Sequence, residues 1–390
     1  MKHDTSRRRF LKAGLIAPAA GLISPSLEVP SQAPAGVTYR ILGKTGLKTS
    51  AVGFGTGFNP NPEIVARAID LGVNYFDTSR DYGDSERIFG GAIKGKRDKI
   101  LISTKTNGRT KEDIFKQMAV SLQMLGTDYV DVYHLHAKDS PESVTDEMME
   151  ALETLKQQGK TRAIGLSTHD PANMLDHILK AGKLDVVQFT YSYPIGGVFR
   201  EEAIKKLNAA GIGLVAMKVV RAMSGIRMME ELAKGKSLMN MGIDMSVKKT
   251  GEACVSAIKW VLHNPAIATT VPDPANMANL EMNVRAMTEP YTTKDEKLLF
   301  ALNEQIRPFY CRMCYECKGQ CPNGLPVTDM LRFLAYNDFG GNFHQARSKF
   351  HELPGEVRNV RCRDCSSCAI QCPNGVRVQD RLIRAQELFA

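Results

Sequence analysis

The sequence has no run of 18 or more consecutive apolar residues, so it offers no candidate transmembrane helix. It also lacks a block of Lys and Arg interleaved with aromatic residues, which argues against nucleic-acid binding although the formal net charge is +9. Apolar residues are spread evenly along the chain, which argues against extensive disorder. The length of 390 residues is enough for one large domain and one small domain.

Cysteine is scarce in most of the chain, where Cys254 is the only one before residue 311 and is predicted to be a buried core thiol. The other eight form two groups with one shared spacing, C-x2-C-x2-C-x3-C-P. The groups are Cys311, Cys314, Cys317, Cys321 and Cys362, Cys365, Cys368, Cys372. Disulfides and zinc are the alternatives for such cysteines, but the doubled spacing is typical of two 4Fe–4S clusters.

In that pattern the fourth cysteine of each group reaches the neighbouring cluster. The predicted ligand sets are therefore Cys311, Cys314, Cys317 with Cys372, and Cys362, Cys365, Cys368 with Cys321. The segment 327–352 between the groups has apolar residues at helical spacing. We expect residues 307–390 to form a small helical domain, which resembles the all-helical dicluster ferredoxins.

The amino terminus reads Ser6-Arg-Arg-Arg-Phe-Leu-Lys12, followed by a mildly apolar stretch. It resembles the twin-arginine (Tat) signal pattern, and Ala33-Pro34-Ala35 offers a small-residue cleavage site. The resemblance implies that residues 1–35 are a signal peptide, that the Tat machinery is a partner, and that the protein is exported to the periplasm. An ordinary basic amphipathic leader or a first helix is the alternative. Tat systems carry folded, cofactor-loaded proteins, which agrees with the predicted clusters.

Between residues 36 and 306, short β-rich apolar runs alternate with amphipathic helical segments. The predicted strands are 52–54, 75–77, 100–105, 129–134, 163–167, 186–190, 213–217 and 268–271. Eight such βα units predict an α/β fold, a (β/α)8 TIM barrel, rather than an open doubly wound sheet. The stretch 39–50, with its Gly43–Gly46 turn, predicts a hairpin that closes the barrel bottom. The Met-rich segment 221–251 is expected to shape the substrate pocket.

The chemistry of such a barrel lies where its strands end in loops. The second strand ends at Asp77 with Tyr82 in the following loop, the third ends at Lys105, and the fourth leads to His136. These side chains form a proton-transfer set in which an ammonium lowers the pKa of a tyrosine. Asp77 would hold Lys105, and His136 would position the substrate carbonyl.

At these residues the chain resembles the aldo/keto reductase superfamily. The matching segments are Asn74-Tyr-Phe-Asp77 through Glu86, Ser103-Thr-Lys105 and Asp131-Val-Tyr-His-Leu-His136. The resemblance covers residues 38–290 and fills all four positions of the catalytic tetrad. It implies hydride transfer with NAD(P)H.

The resemblance also implies nicotinamide-cofactor contacts at Thr56, Ser167, Gln188, Tyr191, Lys218 and Asn279. Ser167 and Gln188 match the carboxamide partners, Tyr191 the residue that stacks on the ring, and Lys218 a position near the pyrophosphate. Asn279 lies in the segment that matches the adenosine-phosphate motif. That segment departs from the family because it lacks the usual basic residue, and Met282 stands where a glutamate is common.

Two functions follow from these observations. The first is an exported oxidoreductase that interconverts a carbonyl and an alcohol with a nicotinamide cofactor, and whose two 4Fe–4S clusters serve electron transfer or structure. Its partners would be a small, sugar-derived carbonyl or alcohol and a redox protein. The alternative is a non-catalytic electron-transfer or cluster-scaffold protein with a ligand-binding barrel.

Overall fold

A computed structural model describes residues 36–57, 59–224 and 250–390. The predicted signal peptide, residues 1–35, lies outside the described residues, and so does most of the Met-rich segment, residues 225–249. Within the described ranges, no helix is both long and apolar enough to cross a membrane.

The described chain begins with a hairpin of β1 (Tyr39–Ile41) and β2 (Lys48–Ser50), which pair antiparallel. A 3-10 turn at Gly43–Thr45 joins them, and Gly46 ends it in the left-handed conformation that glycine tolerates. Leu42 and Leu47 from this turn are buried against the apolar residues that fill the lower barrel. The predicted hairpin is confirmed, and it closes the bottom of the barrel.

Eight parallel strands follow in the spatial order of the sequence. They are β3 (Phe54–Gly55), β4 (Tyr75–Asp77), β5 (Leu101–Thr106), β6 (Val130–Leu135), β7 (Thr161–Thr168), β8 (Val186–Thr190), β9 (Gly213–Met217) and β10 (Ile267–Thr270). A parallel bridge between Val52 and Thr270 joins the last strand to the first. The predicted (β/α)8 barrel is therefore confirmed, with strand bounds within one or two residues of those expected.

Helices cover the outside of the barrel. They are α1 (Pro62–Asp70), α2 (Ser85–Ala92), α3 (Lys111–Leu125), α4 (Asp146–Gln157), α5 (Pro171–Ala181), α6 (Val198–Ala209), α7 (Arg221–Ser224), α8 (Thr250–His263), α9 (Met277–Arg285) and α10 (Thr293–Ile306). Side-chain caps define several of their starts, such as the Thr110 hydroxyl that accepts from the Asp113 amide at α3. At α10, Thr292 and Asp295 form a full capping box.

The remaining chain forms a smaller helical unit, residues 307–390, which we call the C-terminal unit. Its helices are α11 (Val327–Asp338), α12 (Phe343–His351), α13 (Gly355–Arg358) and α14 (Val378–Phe389). The unit has its own apolar core, in which the rings of Phe350 and Phe389 lie 5.9 Å apart. The helical pattern expected for residues 327–352 is confirmed as two helices, separated by residues 339–342.

The C-terminal unit packs against the barrel. One buried apolar cluster contains residues of both: Ile195, Ala222, Met223 and Ala253 from the barrel side, with Tyr310, Met313, Ala335 and Phe339 from the C-terminal unit. Arg200 of α6 adds a polar contact by donating to the carbonyl oxygen of Met313 at 3.2 Å. The C-terminal unit is thereby held close to the loops that follow the strands.

Candidate functional site

Successive side chains of a β-strand point to opposite faces of the sheet, so a set of polar side chains points into the barrel. At the carboxyl end of β4, Asp77 accepts hydrogen bonds from Lys105 Nζ at 2.6 and 2.7 Å, from Ser103 Oγ at 2.9 Å and from Gln188 Nε2 at 3.0 Å. All four side chains are buried. A buried carboxylate needs such partners because burial without them would be very costly.

Lys105 is held rigidly in this arrangement. Its Nζ donates to both Asp77 oxygens and to the carbonyl oxygen of Thr78 at 2.7 Å, so its three donors are all used. Burial lowers the pKa of Lys105, and the charge and hydrogen bonds of Asp77 oppose that shift. Lys105 and Asp77 therefore form a tight, buried ion pair within the site.

Tyr82 lies in the loop between β4 and α2, where its amide donates to the carbonyl oxygen of Ser79. Its ring centroid lies 5.6 Å from Lys105 Nζ and 5.9 Å from the His136 ring, which meets it edge-on. The four predicted tetrad residues thus come together at the carboxyl-terminal mouth of the barrel. Whether they are catalytic stays a prediction.

The sequence analysis expected Lys105 to lower the pKa of Tyr82, and the structure corrects this. Burial, followed by the negative charge of Asp77, raises the pKa of Tyr82 above its usual value. The physical reason is that Asp77 neutralises Lys105, whose donors point away to the carboxylate. Tyr82 is therefore a protonated phenol at neutral pH, which suits a proton donor.

His136 is positioned by a residue that sequence reasoning missed. Its Nδ1 lies 2.9 Å from Asp81 Oδ2 and 3.2 Å from Ser79 Oγ. Burial lowers the pKa of His136, so the ring is neutral at neutral pH. With the Nδ1 proton held by Asp81, Nε2 becomes a hydrogen-bond acceptor toward the mouth. The sequence did offer one signal for Asp81, because this residue directly precedes the predicted tetrad residue Tyr82.

Of the predicted cofactor contacts, Thr56, Ser167 and Gln188 are buried at the carboxyl ends of their strands. The Thr56 hydroxyl lies 2.7 Å from Ser85 Oγ, and Ser167 Oγ accepts from the Ala137 amide at 2.9 Å. Gln188 Oε1 is buried and finds no hydrogen-bond partner within the described ranges. An acceptor left open in this way fits the NH2 group of a carboxamide, and the cofactor contacts stay a prediction.

The other three predicted contacts are Tyr191, Asn279 and Lys218, which differ in their surroundings. The structure does not bring Tyr191 to the mouth: its ring packs 4.9 Å from Trp260 in the outer layer, and its hydroxyl donates to Glu201 at 2.6 Å. This placement gives no support to ring stacking by Tyr191, which directly follows β8 and packs in the same outer cluster as Val187 and Phe189. Asn279 lies in the first turn of α9, where its backbone amide donates to the side-chain oxygen Oδ1 of Asn276.

Lys218 follows β9 with a left-handed φ of 62°. Its Nζ lies 2.7 Å from His169 Nε2 and donates to the hydroxyl of Tyr336 at 3.0 Å. Tyr336 belongs to α11 of the C-terminal unit, so a predicted cofactor contact is engaged by that unit. Sequence reasoning missed His169 and Tyr336, and their distance from Lys218 along the chain left no signal to find them.

The eight clustered cysteines lie around two separate cavities. One is lined by Cys311, Cys314, Cys317 and Cys372. The other is lined by Cys321, Cys362, Cys365 and Cys368. All eight are free thiols. Each cavity thus receives three thiols from one motif and the fourth from the other.

Polar groups point at several of these sulfurs. The Met313 amide donates to Cys311 Sγ at 3.3 Å, Thr328 Oγ1 lies 3.2 Å from Cys317 Sγ, and Asn374 donates to Cys314 Sγ at 3.3 Å. Within the ranges that the structure describes, no group of three or more His, Cys, Asp or Glu side chains is arranged to hold a single metal ion.

Comparisons with known proteins agree with this barrel. The model of the aldo/keto reductase family matches residues 57–304. L-galactose dehydrogenase of Arabidopsis thaliana is 30% identical over 285 residues, which are 65% of this chain and 89% of that protein. The NADH-specific methylglyoxal reductase of Escherichia coli is 32% identical over 190 residues, 41% of this chain and 58% of that protein.

Among solved structures, the holo form of the aldo-keto reductase AKR11C1 from Bacillus halodurans superposes with a TM-score of 0.55 at 24% identity. The match covers 68% of this chain and 96% of that structure. At this identity the likeness concerns the fold alone.

Proposed function

Because the chain belongs to the aldo/keto reductase family and is an oxidoreductase of this NAD(P)-dependent type, we propose that its barrel interconverts a carbonyl and an alcohol on a small, sugar-derived substrate. The observation that carries this proposal is the convergence of Asp77, Tyr82, Lys105 and His136 at the barrel mouth. The similarity to an L-galactose dehydrogenase and to a methylglyoxal reductase supports the substrate class.

In this mechanism Tyr82 is the group that exchanges a proton with the substrate oxygen. Its pKa is raised by burial, so it enters a reduction as the protonated phenol. Asp77 fixes Lys105 beside the ring, with its Nζ 5.6 Å from the ring centroid of Tyr82. His136, oriented by Asp81, uses Nε2 to accept from a substrate hydroxyl and so aligns the reacting carbon.

Nicotinamide, when bound, supplies or takes up the hydride. Gln188 Oε1 and Ser167 Oγ are the groups that would hold its carboxamide, because both lie at strand ends beside the paired Asp77 and Lys105. Lys218, the predicted pyrophosphate contact, donates to Tyr336, so the C-terminal unit contacts the residue expected at that end of the proposed site.

We further propose that the two thiol-lined cavities hold two 4Fe–4S clusters, with Cys311, Cys314, Cys317 and Cys372 on one and Cys321, Cys362, Cys365 and Cys368 on the other. Support comes from the doubled motif and from the exchange of the fourth thiol between the cavities. Four thiolates that each bind a different iron need to surround a cavity and do not need to meet at a point. The clusters supply one-electron transfer or structural support.

We also propose that the chain is exported by the Tat machinery to the periplasm, on the basis of the motif Ser6–Lys12. A folded, cluster-loaded enzyme is the kind of cargo that this route carries.

The enzyme proposal is tested with Tyr82→Phe, which removes the phenolic proton and keeps the ring. We expect kcat to fall by about 100-fold or more while nicotinamide binding, followed by its fluorescence, stays within about twofold. The probes are L-galactose with NAD+ or NADP+, and methylglyoxal or glyceraldehyde with NADH or NADPH.

The matched control is Tyr133→Phe, which deletes the hydroxyl of another buried tyrosine on the outer side of β6. This variant should keep wild-type turnover. If wild type and Tyr82→Phe show the same rates with every probe, the proposed reaction is wrong.

A further inference from the structure

The two thiol-lined cavities of the C-terminal unit lie differently with respect to the barrel. We call the cavity of Cys311, Cys314, Cys317 and Cys372 the barrel-side cavity, and that of Cys321, Cys362, Cys365 and Cys368 the outer cavity. Met313 and Cys311 of the first motif pack in the apolar cluster that the unit shares with the barrel. Among the described residues, none from 362–372 joins that cluster. The barrel-side cavity is therefore the one next to the barrel.

An internal repeat relates the polar residues around the two cavities. The pattern Cys-Pro-Asn-Gly-x-x-Val-x-Asp begins at Cys321 and returns at Cys372. Asn374 and Thr328, which line the barrel-side cavity, thus hold the same positions of the repeat as Asn323 and Gln379, which line the outer cavity. The two cavities can therefore be compared position by position.

Both polar side chains of the barrel-side cavity contact a sulfur atom. Asn374 donates to Cys314 Sγ at 3.3 Å, and Thr328 Oγ1 lies 3.2 Å from Cys317 Sγ. A cysteine that binds iron is a thiolate without a proton, so the Thr328 hydroxyl has to be the donor in the loaded protein. Two side-chain donors therefore point at ligand sulfurs of this cavity.

A backbone amide adds a third donor. Met313 has a left-handed φ of 51°, which is uncommon for a residue with a side chain, and its amide donates to Cys311 Sγ at 3.3 Å. The carbonyl oxygen of Met313 accepts from Arg200 of the barrel at 3.2 Å. The barrel therefore holds this loop and places a buried guanidinium beside it.

The equivalent residues of the outer cavity contact the backbone instead. Gln379 donates to the carbonyl oxygens of Cys362 and Cys365 at 3.3 and 3.4 Å. Gln386 accepts from the Cys362 amide at 3.0 Å and donates to the carbonyl oxygen of Val360 at 2.7 Å. Within the described ranges, the hydrogen bonds that reach sulfurs of the two motifs are the three at the barrel-side cavity.

This difference affects the reduction potentials of the two proposed clusters. Both cavities offer four thiolates, so the charge of the ligands is the same at each. Reduction makes a cluster more negative, and hydrogen bonds to its sulfurs stabilise the more negative state. More donors to sulfur therefore mean a higher reduction potential.

We propose that Thr328, Asn374 and the Met313 amide give the cluster of the barrel-side cavity the higher reduction potential of the two, so that an electron on the C-terminal unit resides next to the barrel. This inference rests on the proposed 4Fe–4S clusters. In it, Thr328 and Asn374 act through the ligands Cys317 and Cys314.

The step that follows is the transfer of a single electron. The cluster of the outer cavity is oxidised by one electron and that of the barrel-side cavity is reduced by one. No bond forms or breaks, and no proton needs to move.

The test is an anaerobic redox titration of the full-length, cluster-loaded protein, with dithionite as reductant and the EPR signal of the reduced clusters as the readout. Wild type should show two one-electron couples. Thr328→Val and Asn374→Leu each remove a donor and keep a similar shape. At a fixed potential, each should lower the ratio of reduced to oxidised cluster at least about threefold in the higher-potential couple, and both together about tenfold, or about 59 mV. The lower-potential couple should not move.

Two matched controls separate the donors from general packing. Thr328→Ser keeps the hydroxyl and should keep the wild-type potential. Asn323→Leu makes the same change as Asn374→Leu at the equivalent position of the outer cavity, and it should move neither couple. Iron analysis establishes that each variant carries about eight iron atoms per chain.

The order of the two potentials is tested by removing one cluster at a time. Cys311→Ser combined with Cys372→Ser should leave only the lower-potential couple. Cys321→Ser combined with Cys362→Ser should leave only the higher-potential couple. If Thr328→Val or Asn374→Leu loses iron, this order decides the proposal.

The outcomes distinguish the potentials from the clusters themselves. If both couples of Thr328→Val and Asn374→Leu coincide with wild type at full iron content, the assignment of the potentials is overturned and the cluster proposal stands. The same conclusion follows if the lower-potential couple moves instead, or if Asn323→Leu causes an equal shift. If wild type contains only trace iron, both proposals fall.

Discussion

At the scale of single residues, Asp77 determines the charge at the barrel mouth. It receives hydrogen bonds from Lys105, Ser103 and Gln188, which come from two other strands. The sequence predicted its partnership with Lys105, since both lie at strand ends. It did not predict that this pairing leaves Tyr82 with a raised pKa, because the outcome depends on burial and on the direction of the lysine donors.

His134 shows another effect that only the structure reveals. The strand pattern of β6 places it inside the barrel, where it is fully buried. Burial, followed by the charge of Lys105, lowers its pKa to about 3. It is therefore a neutral ring at neutral pH, and it adds no charge below the tetrad.

Individual cysteines provide a sharp test of cluster ligation. We predict that Cys311→Ser combined with Cys372→Ser removes one cluster, leaving about four of eight iron atoms per chain. Cys311→Ser combined with Cys321→Ser should damage both clusters and leave fewer than four. Iron and sulfide analysis of anaerobically purified protein measures the difference.

The physical reason is that Cys311 and Cys372 line the same cavity, whereas Cys321 lines the other one. The reverse pattern, with four iron atoms retained only in the Cys311/Cys321 pair, would mean that each motif keeps its own fourth ligand. Wild-type protein with only trace iron would overturn the clusters themselves.

At the scale of secondary-structure elements, α11 is buried along nearly its whole length. Thr328 at its start contacts Cys317, while Arg332 and Tyr336 reach the barrel mouth. Thr328 and Tyr336 are about 12 Å apart along the helix axis. The apolar pattern predicted this helix, but it did not reveal that its polar residues would face the barrel.

Asp338, the last residue of α11, is fully buried. It accepts hydrogen bonds from Arg381 at 2.5 Å and from Arg384 at 2.9 and 3.0 Å, which tie α11 to α14. We predict that Asp338→Asn destabilises the C-terminal unit by roughly 3 kcal/mol, because it leaves the buried Arg381 without its counter-charge. Urea unfolding followed by circular dichroism measures the loss.

The pH dependence of this effect has a defined sign. Burial alone would raise the pKa of Asp338, but the hydrogen bonds of Arg384 and the charge of Arg381 outweigh it and lower the pKa. A depressed folded pKa means that the stabilisation is complete above the unfolded value, about 3.9, and is lost as pH falls through the folded value. The difference between wild type and Asp338→Asn should therefore stay constant from pH 8 to pH 5 and shrink below about pH 4.

The control is Glu352→Gln, which breaks the exposed pair with Lys349. Such a surface pair contributes about 0–1 kcal/mol, so this variant should unfold close to wild type. If both variants lose the same free energy of unfolding, burial of the pair between Asp338 and Arg381 is unimportant for stability.

At the scale of the whole molecule, the C-terminal unit and the barrel share a buried apolar cluster. Arg200 joins them at the loop that carries Cys311 and Cys314. If the proposed clusters and the proposed export both hold, the two packed units would have to be assembled and loaded before they leave the cell.

We therefore predict that Arg7→Lys combined with Arg8→Lys stops export and leaves the precursor in the cytosol. Arg9→Lys, which changes the variable position of the same motif, is the matched control and should be exported normally. Cell fractionation with iron analysis of each fraction measures the outcome. Periplasmic protein in the double variant at the wild-type level would contradict the Tat route.

The sequence by itself determined the barrel, the order of its strands and the tetrad positions, because alternation and strand-end placement are local properties. It also determined the spacing of the cysteines. Only the tertiary structure decided that Tyr191 faces outward and that Tyr336 reaches Lys218. These are contacts between elements far apart in the chain, which depend on how the units pack and leave no local pattern.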